Sequence, residues 1–485
     1  MHIYKVKNYY QNFINGQFVD GGAGRIDVDD PATGKKLSEQ AIADVADVDR
    51  AVAAARACHE SGVLSDMKPV DRGRMVCKIG NYLLEHVDEI AFVLARESGK
   101  PIWEAIIEVK GSARYFEYYG NQAATLEGRS IPLGKNYYDF TTYEPRGVSA
   151  QIIPWNFPLE MTARGMAAAL TTANTCVIKS PELDPLTHYY YAKAAEYAGF
   201  PDGAINILCG HGYEAGAALS AHKDIDQIVF TGSVPTGISI ATAAAQNVVP
   251  CILELGGKSA AIVHADADID NVLDSVRWGI YFNAGQVCSA MSRMVVHKDI
   301  HDRVLDGVID IAQSLSVGPG IDRLEFGPNM GAMISRQQRD RALELIAVAK
   351  TEGATLATGG HPLNNDGFFL EPTVIKDVQR HMNIAQTEVF GPVLSVLKFD
   401  DEDNAIDIAN DSDYGLVGGV FTQDIDKAMR MARRVSTGQI FINEWYAGGV
   451  ETPFGGYKKS GYGREKGREA LMNYVQTKNI GIRIG

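Results

Sequence analysis

From residue 44 to residue 123 apolar residues recur every three or four positions, as in IGNYLLEHVDEIAFVLARESG, and that spacing predicts helices with one buried face. Gly99, followed by Pro101, predicts a helix stop inside this region. The rhythm changes near Gly147. VSAQIIP, NTCVIKSP, AINILCG and IDQIVFTGS are short β-branched runs separated by alanine-rich helical stretches. Strand and helix in alternation predict a parallel sheet covered on both faces, and such sheets bind ligands beyond the carboxyl ends of their strands. The loops at 154–158, 179–182 and 231–237 are therefore where chemistry is expected.

The second half repeats the alternation with SAAIVHADAD, SRMVVH, LSVLKF and QIFIN as strands. SRQQRDRALELIAVAKTEG reads as a helix capped by Ser335 and stopped by Gly353. LGKNYYDFTTYEP at 133–145 and YVQTKNIGIRI at the C-terminus are strand-like yet isolated from both rhythms. They are expected to pair with each other or to extend a neighbouring subunit's sheet, the plain alternative being a surface hairpin and a loose tail.

Length and charge narrow the class. At 485 residues the chain predicts two or three domains. Acidic residues outnumber basic ones by 60 to 46, so a nucleic acid or an anionic membrane is not the expected partner. The N-terminus has no signal-like apolar run, and no eighteen consecutive apolar residues occur. The six cysteines, at 58, 77, 176, 209, 251 and 288, lack CxxC pairs and read as reduced thiols, with the cytoplasm as expected compartment.

Four segments hold candidate chemistry. Cys288 follows Gly and Gln in FNAGQVCSA, a turn after a helical stretch, although a lone cysteine is more often a small buried hydrophobe. Glu254 ends the apolar run VVPCILEL before a Gly pair, where desolvation would raise its pKa toward that of a general base. PWNFP holds Asn156 in a proline-bracketed loop able to aim an amide N–H at an oxyanion. FTGSVPTG is a strand, a glycine turn and a helix start that suits a phosphate, without the GxGxxG fingerprint. Glu182, beside Lys179, could bind ribose hydroxyls. His297 and His301 stand four apart in HKDIH without the glutamate of HExxH, so no metal site is expected. GxSxG and GxxxxGK[ST] are absent.

In order, PWNFP at 154, KSPE at 179, FTGSVPTG at 230, LELGGKS at 253, GQVC at 285, EVFGPV at 388 and PFGGYKKSGYGRE at 453 resemble the aldehyde dehydrogenase superfamily, across essentially the whole chain. KSPE exchanges the inner pair of the commoner KPSE. The resemblance implies an α/β fold with a Rossmann-type NAD-binding domain (1–125 and 146–255), an α/β catalytic domain (256–465) and a small β oligomerisation domain (126–145 and 466–485). A homodimer or homotetramer is implied with it. Cys288 resembles the nucleophile that forms a thiohemiacetal and then a thioester. Asn156 and the Cys288 backbone N–H resemble the oxyanion hole, Glu254 the base that activates water, and Glu465 a second carboxylate for proton relay. Lys179 and Glu182 match ligands of the adenine ribose, Gly212 a position near the adenine, Ser233 a pyrophosphate contact, and Glu388 and Phe390 the nicotinamide end. Ile153, Pro154, Trp155, Thr231, Gly232, Leu255 and Gly256 complete the cofactor set. Glu182 would repel a 2′-phosphate, so NAD is expected, with NADP as the alternative.

By the same resemblance Glu160, Met161, Arg164, Phe282, Ser289, Trp445, Tyr446 and Phe454 line a tunnel for a small-molecule aldehyde. Arg164 suits a carboxylate or a ring hydroxyl. Trp445 and Glu160 instead suit a trimethylammonium. A Glu160–Arg164 salt bridge, four apart on one helix face, would cancel both cues. The implied activity is oxidation of an aldehyde to its acid. The rivals are a CoA-acylating relative, against which Glu254 argues, and a non-catalytic NAD-binding relative.

Overall fold

The computed structural model describes residues 4–321 and 329–485. Residues 44–123 form the helices Val45–Glu60, Pro69–Glu85, Val87–Ser98 and Ile102–Gln122. Asp44 caps the first in a reciprocal capping box with Asp47. Gly99, at φ 78°, ends the third in the left-handed region.

The predicted runs from Gly147 onward become the centre of an eight-stranded sheet. Its order is Gly461–Tyr462, Cys251–Glu254, Gln227–Thr231, Val148–Ile152, Thr175–Ser180, Ile205–Cys209, Asn12–Ile14 and Gln17–Val19. The five central strands are parallel. The antiparallel edges come from remote segments, which the local alternation did not foresee. Beginning at Val148–Ile152 the chain adds two strands on one side, then returns to add Gln227–Thr231 on the other. The crevice of a doubly wound sheet lies at such a reversal, and here it is flanked by the loops after Ile152 and Thr231.

Both faces of this sheet are packed. Val148, Ala150, Val177, Leu208, Ile228 and Phe230 form one core with Ala51, Val52 and Ala55 of the first helix and with Ile240 and Ala244. Cys176, Ile178, Ile205, Ile207 and Val229 alternate onto the other face, within the larger core. A second, seven-stranded sheet runs Thr355–Thr358, Thr373–Lys376, Val393–Phe399, Arg293–His297, Ala260–Val263, Val417–Phe421 and Gln439–Ile442, with only the first strand antiparallel. The four runs read as strands in this half all lie in it. Helix Arg336–Thr351 is capped by Ser335, and Gly353 turns left-handed just beyond its end.

The two isolated strand-like segments pair with each other. Val475–Arg483 runs antiparallel to Tyr137–Pro145 over nine residue pairs, with Ser130–Ile131 on the far side. The hairpin-and-tail alternative thus gives way to a three-stranded sheet with Val475–Arg483 at its edge. No helix among the described residues is long and apolar enough to cross a membrane.

Arg293 locks the second sheet to its neighbours. Its guanidinium is fully buried and donates to the carbonyls of Lys258, Ile408 and Ala409, each at 2.9 Å. Arg293→Met should strand these three acceptors and lower the unfolding free energy by about 3 kcal/mol or more. Urea unfolding of the purified variant checks this; a loss below about 1 kcal/mol would contradict it.

Candidate active site

Helix Ile269–Tyr281, capped by Asp268, leads directly into the turn Phe282–Gly285. Asn283, Ala284 and Gly285 follow one another in the left-handed region, at φ 50°, 52° and 72°. For the two non-glycines this costs about 1 kcal/mol or more each, and buried partners offset it. The Asn283 backbone N–H donates to the Glu104 carboxylate at 3.1 Å, and its side-chain amide donates to the Asn156 carbonyl at 2.8 Å. A side chain at Gly285 would drive into the backbone of Gly391. Gln286 braces the exit, donating to the Asn283 carbonyl at 3.1 Å and accepting from the Ile334 N–H at 2.9 Å. This turn carries Cys288 to its place.

Cys288 stands where two cavities meet. One, of ≈ 400 Å³, has Phe157, Glu160, Met161, Arg164, Phe282, Ser289, Tyr446 and Phe454 in its wall. The other, of ≈ 200 Å³, has Pro154, Trp155, Asn156, Glu254, Glu388 and Phe390 in its wall. Cys288 is the residue common to both. Burial pushes its thiol up to about 12, opposed by Arg164 and reinforced by Glu388 and Glu254. Asn156 is buried, and its side-chain amide donates to the Gln286 carbonyl at 3.1 Å, which fixes the amide beside the cysteine turn.

Glu254 closes the strand Cys251–Glu254, and among the described residues neither of its buried carboxyl oxygens has a hydrogen-bond partner. Burial raises it well above the usual carboxylate range, and the Glu465 charge adds to this against Arg164 and Arg464. Glu465 is also buried, its carboxyl raised by burial against the pull of Arg164. Arg164 joins the acids. It donates to Glu160 at 3.0 Å, to Glu465 at 3.4 Å and to the Tyr115 hydroxyl at 3.2 Å. The Glu160–Arg164 pair that helical spacing allows is therefore made, and Glu465 joins it.

The smaller cavity gathers most of the cofactor candidates: Pro154, Trp155, Thr231, Gly232, Ser233, Glu254, Leu255, Gly256, Glu388 and Phe390. Ser233 caps helix Val234–Ala245, whose N-terminus faces this space. Glu388 accepts from the Gly257 N–H at 3.0 Å, and burial pushes its carboxyl up to about 7. A side chain at Gly256 would meet that carboxyl. The Trp155 and Phe390 rings meet edge to face at 5.2 Å. Ile153, Lys179, Glu182 and Gly212 lie outside this lining, Ile153 just after Val148–Ile152 and the others at the carboxyl ends of the next two strands along the sheet. Ile153 donates to the Lys179 carbonyl at 3.0 Å, and Lys179 pairs with Glu182 at 2.7 Å. Burial pushes the Glu182 carboxyl up, but the Lys179 cation, with help from the Gly212 backbone, leaves it below its ordinary value.

Trp445 is buried next to the cavity wall, its indole N–H donating at 3.1 Å to the carbonyl of Ser289, which lines the cavity. Several lining residues were missed in the sequence. Trp278 and Ile107 belong to helices whose periodicity announces only a buried face, and Gln338 and Arg341 lie on helix Arg336–Thr351, of which the sequence signals only the ends. Lys466 was passed over as a neighbour of Glu465. The one available signal was its place in YGREKG, within a motif already singled out.

Comparison with known proteins agrees with this layout. The model of the aldehyde dehydrogenase family matches residues 18–480. An aldehyde dehydrogenase of Emericella nidulans is 41% identical over 98% of this chain and 95% of its own length. The structure of an aldehyde dehydrogenase from Bacillus cereus in complex with NAD+ superposes with a TM-score of 0.96 at 40% identity, covering 98% of this chain and 97% of that one. A betaine aldehyde dehydrogenase from Staphylococcus aureus, also in complex with NAD+, gives 0.95 at 38% identity, covering 97% and 94%.

The raised thiol has a direct consequence. Only the thiolate is reactive, and a value of about 12 leaves the Cys288 thiol protonated through neutral pH. Alkylation by iodoacetamide, followed on the peptide carrying Cys288 in protein free of small molecules, should rise about tenfold per pH unit from pH 7 to 10. A plateau below pH 9 would contradict the assignment.

Proposed function

The chain belongs to the aldehyde dehydrogenase family and is an NAD-dependent aldehyde-oxidising enzyme, and we propose that it converts its aldehyde to the carboxylic acid on Cys288, with water as the final acyl acceptor. The observation that carries this is the position of Cys288 between a cavity suited to the aldehyde and a cavity suited to the cofactor.

The residues fit NAD. Lys179 and Glu182 would hold the adenine ribose, with Gly212 beside them. Ser233 and the helix start behind it would face the pyrophosphate, and Glu388 and Phe390 the nicotinamide end. The ionised Glu182 suits ribose hydroxyls and repels a 2′-phosphate. When bound, NAD supplies the hydride acceptor. The protein's own groups do the rest. The Cys288 thiol gives its proton to solvent as its sulfur bonds to the aldehyde carbon, and the charge that develops on oxygen meets the Asn156 amide and the Cys288 backbone N–H. Once the carbon is oxidised, the acyl group is a thioester on Cys288. Glu254, in the same cavity, takes a proton from water, which attacks the thioester and releases the acid and the thiol. Glu465 offers a path for that proton, with Arg164 donating to its carboxylate. Because burial holds Glu254 protonated to higher pH than an ordinary carboxylate, the rate should rise with pH above the ordinary carboxylate range. Glu254 also disfavours CoA as acceptor, since CoA needs no activated water.

The aldehyde we infer is aromatic. Phe157, Trp278, Phe282, Phe441, Tyr446 and Phe454 supply flat apolar walls. Arg164 is already neutralised by two carboxylates. Lys466 also lines the cavity, and among the described residues no carboxylate lies within ion-pair distance of its amine, so an acidic ring substituent is favoured. With Trp445 behind the wall, a cage for a trimethylammonium is not supported.

Two further expectations belong here. The exposed edge strand Val475–Arg483 supports a homodimer or homotetramer through strand addition. All six cysteines are unpaired, which supports a reducing compartment and so the cytoplasm.

A panel of aldehydes with NAD and no CoA, read by NADH absorbance, tests the activity and the substrate class together. Turnover is expected, with kcat/KM for 4-carboxybenzaldehyde at or above benzaldehyde and about tenfold or more above betaine aldehyde. Cys288→Ala should lower the rate by about 10³-fold or more. A rate that appears only with CoA would overturn the hydrolytic reading, and retained activity in Cys288→Ala would overturn the mechanism.

A further inference from the structure

Lys100 and Glu108 form an ion pair at 2.5 Å, both side chains only 1% exposed. Such a pair is expensive to desolvate, and an apolar pair of similar volume often serves a fold as well or better. Its retention here calls for another reason, and the remaining bonds of the two groups supply one. The Lys100 ammonium also donates to the Asn156 carbonyl at 3.1 Å and sits 4.6 Å from the centre of the Phe157 ring. The second Glu108 oxygen accepts from the N–H groups of Leu159 at 3.0 Å and Glu160 at 3.3 Å. These open helix Pro158–Thr171, which has no side-chain cap of its own. Among the described residues, every side-chain hydrogen bond of the pair that leaves it is thus made to the segment 156–160.

The Asn156 carbonyl receives a second donor from the opposite side, the Asn283 amide of the cysteine turn at 2.8 Å. With this peptide pinned from two sides, its side-chain amide is directed at Gln286, two residues before Cys288. Glu104, four residues before Glu108 on helix Ile102–Gln122, holds the Asn283 N–H. One helix and the lysine just before it therefore register the amide loop against the cysteine turn.

We propose that Lys100, held by Glu108, is a positioning residue for the oxyanion donor: it fixes the Asn156 peptide so that the Asn156 amide meets the oxygen of the aldehyde bound to Cys288. This rests on the roles of Cys288 and Asn156 given above. Lys100 lines neither of the two cavities, so its effect is expected on kcat. Losing one oxyanion donor costs about 10²–10³ in kcat, and a donor misplaced by an ångström costs a comparable factor.

Lys100→Met tests this, with Lys100→Met/Glu108→Gln as a companion that leaves no unpaired buried charge and keeps an acceptor for Leu159 and Glu160. The expected result is a fall in kcat of about 30- to 300-fold in both. KM for NAD and the alkylation of Cys288 by iodoacetamide should stay within about threefold, because displacement of iodide develops no oxyanion. A merely structural pair would instead lower alkylation and turnover together. The proposal is overturned if kcat stays within about threefold of the unsubstituted protein, if alkylation falls in parallel with kcat, or if neither variant folds. An unsubstituted protein inert to every aldehyde would overturn the roles of Cys288 and Asn156, and this inference with them.

Discussion

Three left-handed residues in a row hold the Cys288 thiol in place, and buried side chains answer the backbone of that turn. Glu104 takes the Asn283 N–H, and the Asn283 side chain reaches across to the Asn156 carbonyl. Gln286 ties the turn to itself and to Ile334. Without these bonds the local strain would relax and Cys288 would leave the junction of the two cavities. The same bonds connect three distant parts of the chain, so the helical region at 102–122, the loop at 154–158 and the cysteine segment position one another.

The electrostatics follow from putting many acids where water is scarce. Glu254, Glu465, Glu388 and Glu104 are all raised by burial. Each differs in what opposes that shift. Glu465 shares Arg164 with Glu160, Glu104 feels Lys100, and Glu388 accepts one backbone N–H. Glu254 alone among them has no hydrogen-bond partner among the described residues, and this suits it to take a proton from a water that enters beside Cys288. Cations are distributed with equal economy. Arg164 is matched by carboxylates, and Lys100 is matched and buried against the loop at 154–158. Lys466 is left facing the larger cavity.

Four of the five central strands of the first sheet, and three of the loops at their carboxyl ends, were legible because parallel strands buried on both faces read as continuous apolar runs. Glu254 could be suspected because its own flanks are apolar. The edges were not legible: Asn12–Ile14 and Gly461–Tyr462 are too short and too remote to carry a local signal. Cys288 could not be told from the other five thiols by composition, and only its neighbouring motifs singled it out. Lys100 and Glu108 were invisible, since an isolated charge near or on a helix reads as solvated until the fold buries it. Trp445 was legible only as an aromatic near the tunnel; the fold gives its indole N–H a buried acceptor, the Ser289 carbonyl.

The central claim is that the acyl group passes through the sulfur of Cys288 and leaves only with the help of Glu254. The most direct measurement weighs that intermediate. A Glu254→Gln variant is mixed with NAD and an aromatic aldehyde, quenched in acid, digested and examined by mass spectrometry. The peptide carrying Cys288 should gain the mass of the aldehyde less two hydrogens, in near-stoichiometric yield and only when NAD is present. No adduct, or the same mass on another cysteine, would contradict the account.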